Sequence, residues 1–290
     1  MLKKIIIVIT LLLCHSGNCK NINWRVPTLG GIYFWTDVKV NNGCRIQKHV
    51  WTGHYRVLDC KNVRYAWGGY DDCLKEYQKL TDSTSKDKKA LLIHGLTVKK
   101  NSLEPLKENL EKEGYEVEFF RFSCFVEPLE STSKSLARVL ESFERDVDVV
   151  THSTGAILLR QYEKDYKCSG IGKAVMLAAP NNGVVLVNCL KKLGLAGLSG
   201  INGKRLYEGK GSLPNTLPEP SVDFITISGR NDGDSYFPLS AVNFDHDGLL
   251  STDTGQLKSA KMNYSVKAHH FTIMEKEEVK TLIKGFLKGK

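Results

Sequence analysis

From Ala90 to the C-terminus, short apolar runs alternate with segments of helical periodicity, and that alternation narrows the fold more than anything else in the chain. Ala90-Leu91-Leu92-Ile93 is apolar at every position, as a strand buried on both faces should be. Residues 147–150 form a second short apolar strand, and 115–120, 173–179 and 222–227 read as further ones. Between them lie amphipathic stretches. Leu103, Leu106 and Leu110 share one side of a helix that Ser102 can cap and Gly114 can end. Leu136, Val139, Leu140 and Phe143 mark another. Near the end, Thr272 and Glu275 have capping-box spacing before a helix bearing Val279, Leu282, Ile283 and Phe286. Strand and helix in alternation predict an α/β domain over residues 86–290, a mostly parallel central sheet with helices on both faces.

The residues before it differ in texture. Lys3 and Lys4 precede an apolar run from Ile5 to Leu13, and small residues follow, so 1–19 are expected to be a cleavable signal peptide and the mature chain to be secreted. The run is too short to span a bilayer. Residues 20–85 are rich in aromatics and cysteine, with strand-like patches at 52–58 and 63–67 and a charged helix over about 72–80. They read as a small extension, tied to the rest by the polar 81–89 stretch. Loss of the leader leaves Cys44, Cys60, Cys73, Cys124, Cys168 and Cys189, an even number that in an exported chain predicts disulfides. Without Lys3 and Lys4 the formal charge falls from +9 to +7. No basic stripe suggests a nucleic-acid partner. Transient contact with an anionic lipid surface is compatible with this charge, and a solvated surface is the plainer reading.

Chemistry enters at Asp148-Val149-Val150-Thr151-His152-Ser153-Thr154-Gly155. An apolar strand runs into Ser153 and leaves as a helix, the context in which a serine is exposed above a sheet edge as a nucleophile. Ser-x-Gly alone is common by chance, and Thr151 stands where a glycine would complete the motif. Two further features support the reading. His94-Gly95-Leu96 ends the first buried strand and enters a loop, so the amides of Leu96 and Thr154 are the expected oxyanion donors. Aspartates and then histidines follow Ser153 in the chain order that such hydrolases require. Asp232, Asp234, Asp245, Asp247 and Asp253 are candidate acids. His269 and His270 are candidate bases. His152 reads as a packing residue, and His49, His54 and His246 as ordinary histidines.

About 200 residues resemble the bacterial true lipases, of both the Pseudomonas/Burkholderia and the small Bacillus type. The resemblance rests on His94-Gly95, Thr151-His152-Ser153-Thr154-Gly155, Leu177-Ala178-Ala179-Pro180-Asn181-Asn182-Gly183, Ile227-Ser228-Gly229, Asp247-Gly248-Leu249-Leu250 and His270. It implies an α/β-hydrolase fold and a triad of Ser153 as nucleophile, His270 as base and Asp247 as acid. It implies ester hydrolysis through an acyl-serine, on lipid or other hydrophobic acyl esters, without a cofactor. Thr272 stands where relatives that bind calcium carry a carboxylate, so no metal is expected. In the same family the segment after Ala-Pro-x-x-Gly covers the site, and residues 184–213, an apolar helix pattern followed by Gly194, Gly197, Gly200 and Gly203, suit a hinged lid. The same triad could pass the acyl group to an alcohol, as an acyltransferase does, and the scaffold could serve a non-catalytic binding protein.

Overall fold

A computed structural model describes residues 25–28, 33–81, 87–96, 102–230 and 245–289. The leader-like residues 1–19, and Asp232 and Asp234, lie outside that set.

Eleven strands among the described residues form two sheets. The larger has six strands: β6 (Lys89–Ile93), β7 (Glu116–Phe120), β8 (Val147–His152), β9 (Ile171–Leu177), β10 (Asp223–Arg230) and β11 (Met262–Lys267). Their order is β11-β10-β9-β8-β6-β7, and every pairing is parallel. Side chains leave a strand on alternate faces. Thus Leu91, Ile93 and Val149 join the core under α3 (Leu129–Glu141) and α4 (Thr154–Tyr166). Ala90, Leu92 and Val150 join the opposite core, under α2 (Glu104–Lys112) and α6 (Glu277–Leu287). A strand apolar at every position is what a sheet covered on both faces demands.

The smaller sheet is antiparallel, in the order β1-β5-β4-β3-β2: β1 (Val26–Pro27), β2 (Trp35–Asn41), β3 (Cys44–His49), β4 (Tyr55–Leu58) and β5 (Val63–Gly68). Asn42 and Gly43, at φ 50° and 73°, turn β2 into β3, a hairpin signal that two positive-φ residues carry. Helix α1 (Tyr70–Leu80) lays Cys73 and Tyr77 on Val38, Ile46, Val57 and Ala66 to form a third, smaller core.

Three expectations need correction. The six cysteines are free thiols here: Cys44, Cys73, Cys124 and Cys168 are buried, and Cys60 and Cys189 exposed. Cys124 and Cys168 are packed into the main core and Cys73 into the small one, where a thiol behaves as a small apolar side chain. Ser102 does not cap α2, whose N-cap is Leu103, with Pro105 in the first turn. The Thr272/Glu275 pair closes a short 3₁₀ turn, Ile273–Glu275, through the Glu275 N–H and Thr272 carbonyl (2.9 Å); α6 begins only at Glu277.

Candidate active site

Strand β8 stays buried to its last residue and passes into Ser153 at φ 53°, ψ −125°, after which α4 starts at Thr154. The turn is held on both sides: Ser153 N–H donates to the Leu177 carbonyl (2.9 Å), and Ala156 N–H donates to that of Ser153 (2.9 Å). Close approach explains two glycines. A Cβ on Gly155 would lie 2.7 Å from the carbonyl oxygens of Ile93 and His94, and one on Gly95 would lie 2.6 Å from Ser153 Cβ. Thr151 is still in the strand, paired with Ile93 on one side and Met176 on the other. Its side chain is fully buried, and Oγ1 donates to the Val175 carbonyl (3.2 Å).

His270 Nε2 lies 3.1 Å from Ser153 Oγ, and His270 Nδ1 lies 2.8 Å from Asp247 Oδ2. Both side chains are 2% exposed. The other carboxylate oxygen, Oδ1, accepts the N–H groups of Leu249 (2.9 Å) and Leu250 (2.7 Å), so the tight Asp247-Gly248-Leu249-Leu250 turn fixes its own acid. His270 N–H donates to the Asp247 carbonyl (2.8 Å), joining the two loops directly. Gly229 leaves room for this: a Cβ there would lie 2.6 Å from Asp247 Cβ. Of the competing candidates, Asp245 and Asp253 are exposed, and His270 rather than His269 meets the serine.

The packing residue His152 has a more particular place. Its Nε2 is 2.8 Å from the His270 carbonyl, which can only accept, so His152 donates there and buttresses the backbone of His270. Burial, with His270 next to it, pushes the His152 pKa down to about 3, which keeps the ring neutral. Its position beside the serine was the only hint in the sequence.

Thr154 is the first residue of α4, so its N–H has no acceptor one turn earlier in the helix. Leu96 follows Gly95 in the loop packed on Ser153. Of the two expected oxyanion donors, Thr154 thus follows the serine directly and Leu96 follows the glycine packed on it.

The lid candidate is partly anchored. In α5 (Val185–Lys192), Val187 and the half-buried Leu186 pack on the main core, and Gly194, at φ 72°, follows its end. From the end of α5 the chain faces solvent, with Leu193, Leu195 and Leu198 71%, 46% and 73% exposed. The apolar residues expected over the site therefore divide, because a two-turn helix presents only its first half to the core. The far side of the segment is fixed again. Asn202 is fully buried, donates to the carbonyls of Cys124 and Glu127 (2.7 Å each) and accepts Leu129 N–H (3.2 Å).

Among the described residues, no group of three or more His, Cys, Asp or Glu side chains could hold a metal ion, and no helix is long and apolar enough to cross a membrane.

No protein-family profile and no curated relative matches the chain. Solved structures do. It is similar to a Bacillus licheniformis lipase, BlEst2, in its mature form, with 18% identity and a TM-score of 0.58 over 71% of this chain and 93% of the other. The propeptide form of that lipase matches with 17% identity and a TM-score of 0.54, over 71% of this chain and 51% of the other. At such identities the likeness speaks for the fold alone.

Proposed function

We propose that this chain, which has the α/β-hydrolase fold, is a serine carboxylic-ester hydrolase with Ser153 as nucleophile, His270 as general base and Asp247 as the acid behind it. The observation that carries the reading is the unbroken line from Ser153 Oγ through the imidazole to Asp247, buried at the end of a parallel sheet. Ser153 Oγ attacks the ester carbonyl while His270 Nε2 takes its proton, and the same proton goes to the departing alcohol. Asp247 accepts from Nδ1–H, holding the tautomer that leaves Nε2 free to accept and stabilising the imidazolium. The amides of Leu96 and Thr154 meet the oxyanion, and loss of one such donor typically costs about 3–4 kcal/mol of barrier. Water repeats the sequence on the acyl-serine. A fluorophosphonate tests the assignment directly: labelling is expected at Ser153 and nowhere else. A chain that hydrolyses esters yet takes no label, or takes it on another serine, has a different nucleophile.

The acyl group is hydrophobic on this reading. Leu193, Leu195 and Leu198 stand exposed between two anchored flanks, beside Lys191 and Lys192, and suit contact with an ester surface. Each leucine moved out of water contributes on the order of 1–2 kcal/mol. Replacing all three by serine should lower turnover of a micellar ester about tenfold or more and leave a short soluble ester within about twofold. Rates compared above and below the solubility limit check this. Equal behaviour of variant and wild type on both substrates would remove the surface role.

A further inference from the structure

The small sheet takes no part in the chemistry above, yet it grips the main sheet just beyond the end of β7, on both sides of Phe122. Asp37 N–H donates to the Arg121 carbonyl (2.8 Å), and Arg121 N–H donates to Asp37 Oδ2 (2.8 Å). Ser123 N–H donates to Thr36 Oγ1 (3.1 Å), while the Ser123 hydroxyl donates to the Tyr33 carbonyl and the Thr36 hydroxyl to Glu127. Asp37 is itself buried, and its other oxygen accepts Gln47 Nε2 (2.8 Å) across the hairpin. Arg121 and Ser123, on either side of Phe122, are thus bonded to β2 where the main sheet has ended.

What they hold is His94. Phe122 N–H donates to His94 Nε2 (3.2 Å), and the two rings stack at 4.6 Å. A ring nitrogen that accepts carries no proton, so the proton of the neutral ring is on Nδ1. Nδ1 lies 2.7 Å from the Gly95 carbonyl and donates to it. One tautomer satisfies both bonds. Burial pushes the His94 pKa down to about 4, which keeps the ring in that form. In a trans peptide the N–H points opposite the carbonyl. Turning the Gly95 carbonyl onto His94 therefore turns the Leu96 N–H the other way, on a loop whose Gly95 lies against Ser153.

We propose that the small N-terminal sheet works as a positioning element for catalysis: Thr36 and Asp37 set residues 121–123, these set His94, and His94 sets the direction of the Leu96 amide that meets the oxyanion. His94 is a positioning residue that touches no substrate, and the proposal rests on the ester-hydrolase reading of Ser153. Its mark is selective loss of stabilisation where negative charge develops, with ground-state binding intact.

The test measures kcat per serine titrated to completion, KM for a short soluble ester, and affinity for an alkyl trifluoromethyl ketone, which becomes an oxyanion on the serine. His94→Phe keeps the stacked ring and removes both bonds. Its kcat is expected to fall about 10²-fold with KM within about twofold, and the ketone affinity to fall with kcat. His94→Asn, which can place an N–H near the Nδ1 position, should recover several-fold over the Phe variant. Thr36→Val, an isosteric change in the other sheet, should lower kcat and ketone affinity together by a smaller factor. A merely structural role would reduce the titratable fraction and leave kcat per titrated serine unchanged, and that result overturns the proposal. If His94→Phe does not fold, Thr36→Val and His94→Asn decide, and wild-type kcat in both overturns it. A Ser153→Ala variant run alongside separates the failures. If Ser153→Ala turns over ester, the site reading falls; if it is inactive while His94→Phe is within twofold of wild type, only the positioning role falls.

Discussion

Ser153→Ala should leave a folded protein whose esterase activity is lower by about 10⁴-fold or more, with binding of a substrate analogue little changed. Alanine keeps the Cβ, so the turn between β8 and α4, its bond to the Leu177 carbonyl and the contact with Gly95 all remain. Only Oγ goes, and with it the atom that His270 Nε2 faces at 3.1 Å. Among the described residues no other hydroxyl lies within hydrogen-bond reach of His270 Nε2, where a reacting oxygen must sit. The expected remainder is what oriented binding and the backbone donors supply by themselves. Burst kinetics on a chromogenic ester, with circular dichroism as the folding control, give the comparison. Half the wild-type activity in a folded variant would remove Ser153 from the mechanism.

The second large effect is expected at the acid. Asp247→Asn is nearly isosteric, and its amide oxygen can still accept Leu249 and Leu250 N–H, so the turn should survive. The amide nitrogen then faces His270 Nδ1, where only an acceptor keeps the proton on that side. An amide donating to Nδ1 moves the proton to Nε2, and a protonated Nε2 cannot take the serine proton. The loss in kcat should be about 10³- to 10⁴-fold with KM changed little. Asp253→Asn, at an exposed side chain bonded to Gln256, should stay within about twofold of wild type. A chain in which Asp247→Asn is active and Asp232→Asn is not would have another acid.

The central sheet was legible because burial on both faces leaves an unmistakable trace: Ala90-Leu91-Leu92-Ile93 has no polar position to hide. The strand-to-helix context of Ser153 was legible in spite of Thr151. Thr151 is accommodated locally, since the glycines at 95 and 155 make the room and Thr151 bonds within the sheet. Less could be read where a residue acts through partners far away in sequence. His152 looks like packing until the His270 carbonyl is placed on its Nε2, 118 residues later. Thr36 and Asp37 meet residues 121–127 across 84 to 91 positions, and no local periodicity encodes such a contact. The strands β2 and β3 fall in the same class, although Asn42-Gly43 was a hairpin signal available in the sequence. Cysteine parity misled because a buried thiol and half of a bridge look the same in a sequence.

The conformation of Ser153 has a consequence for the durability of the whole molecule. At φ 53°, ψ −125° the residue sits where an L side chain is disfavoured, at a cost of about 1–3 kcal/mol, against a total stability of about 5–15 kcal/mol for a folded domain. The packed sheet on either side over-determines that geometry and holds it. Thermal tolerance and the alignment of Ser153 with His270 are therefore drawn from one reserve at this position: a core weakened elsewhere would leave less to hold the elbow, and Ser153 would lose that alignment before the sheet came apart.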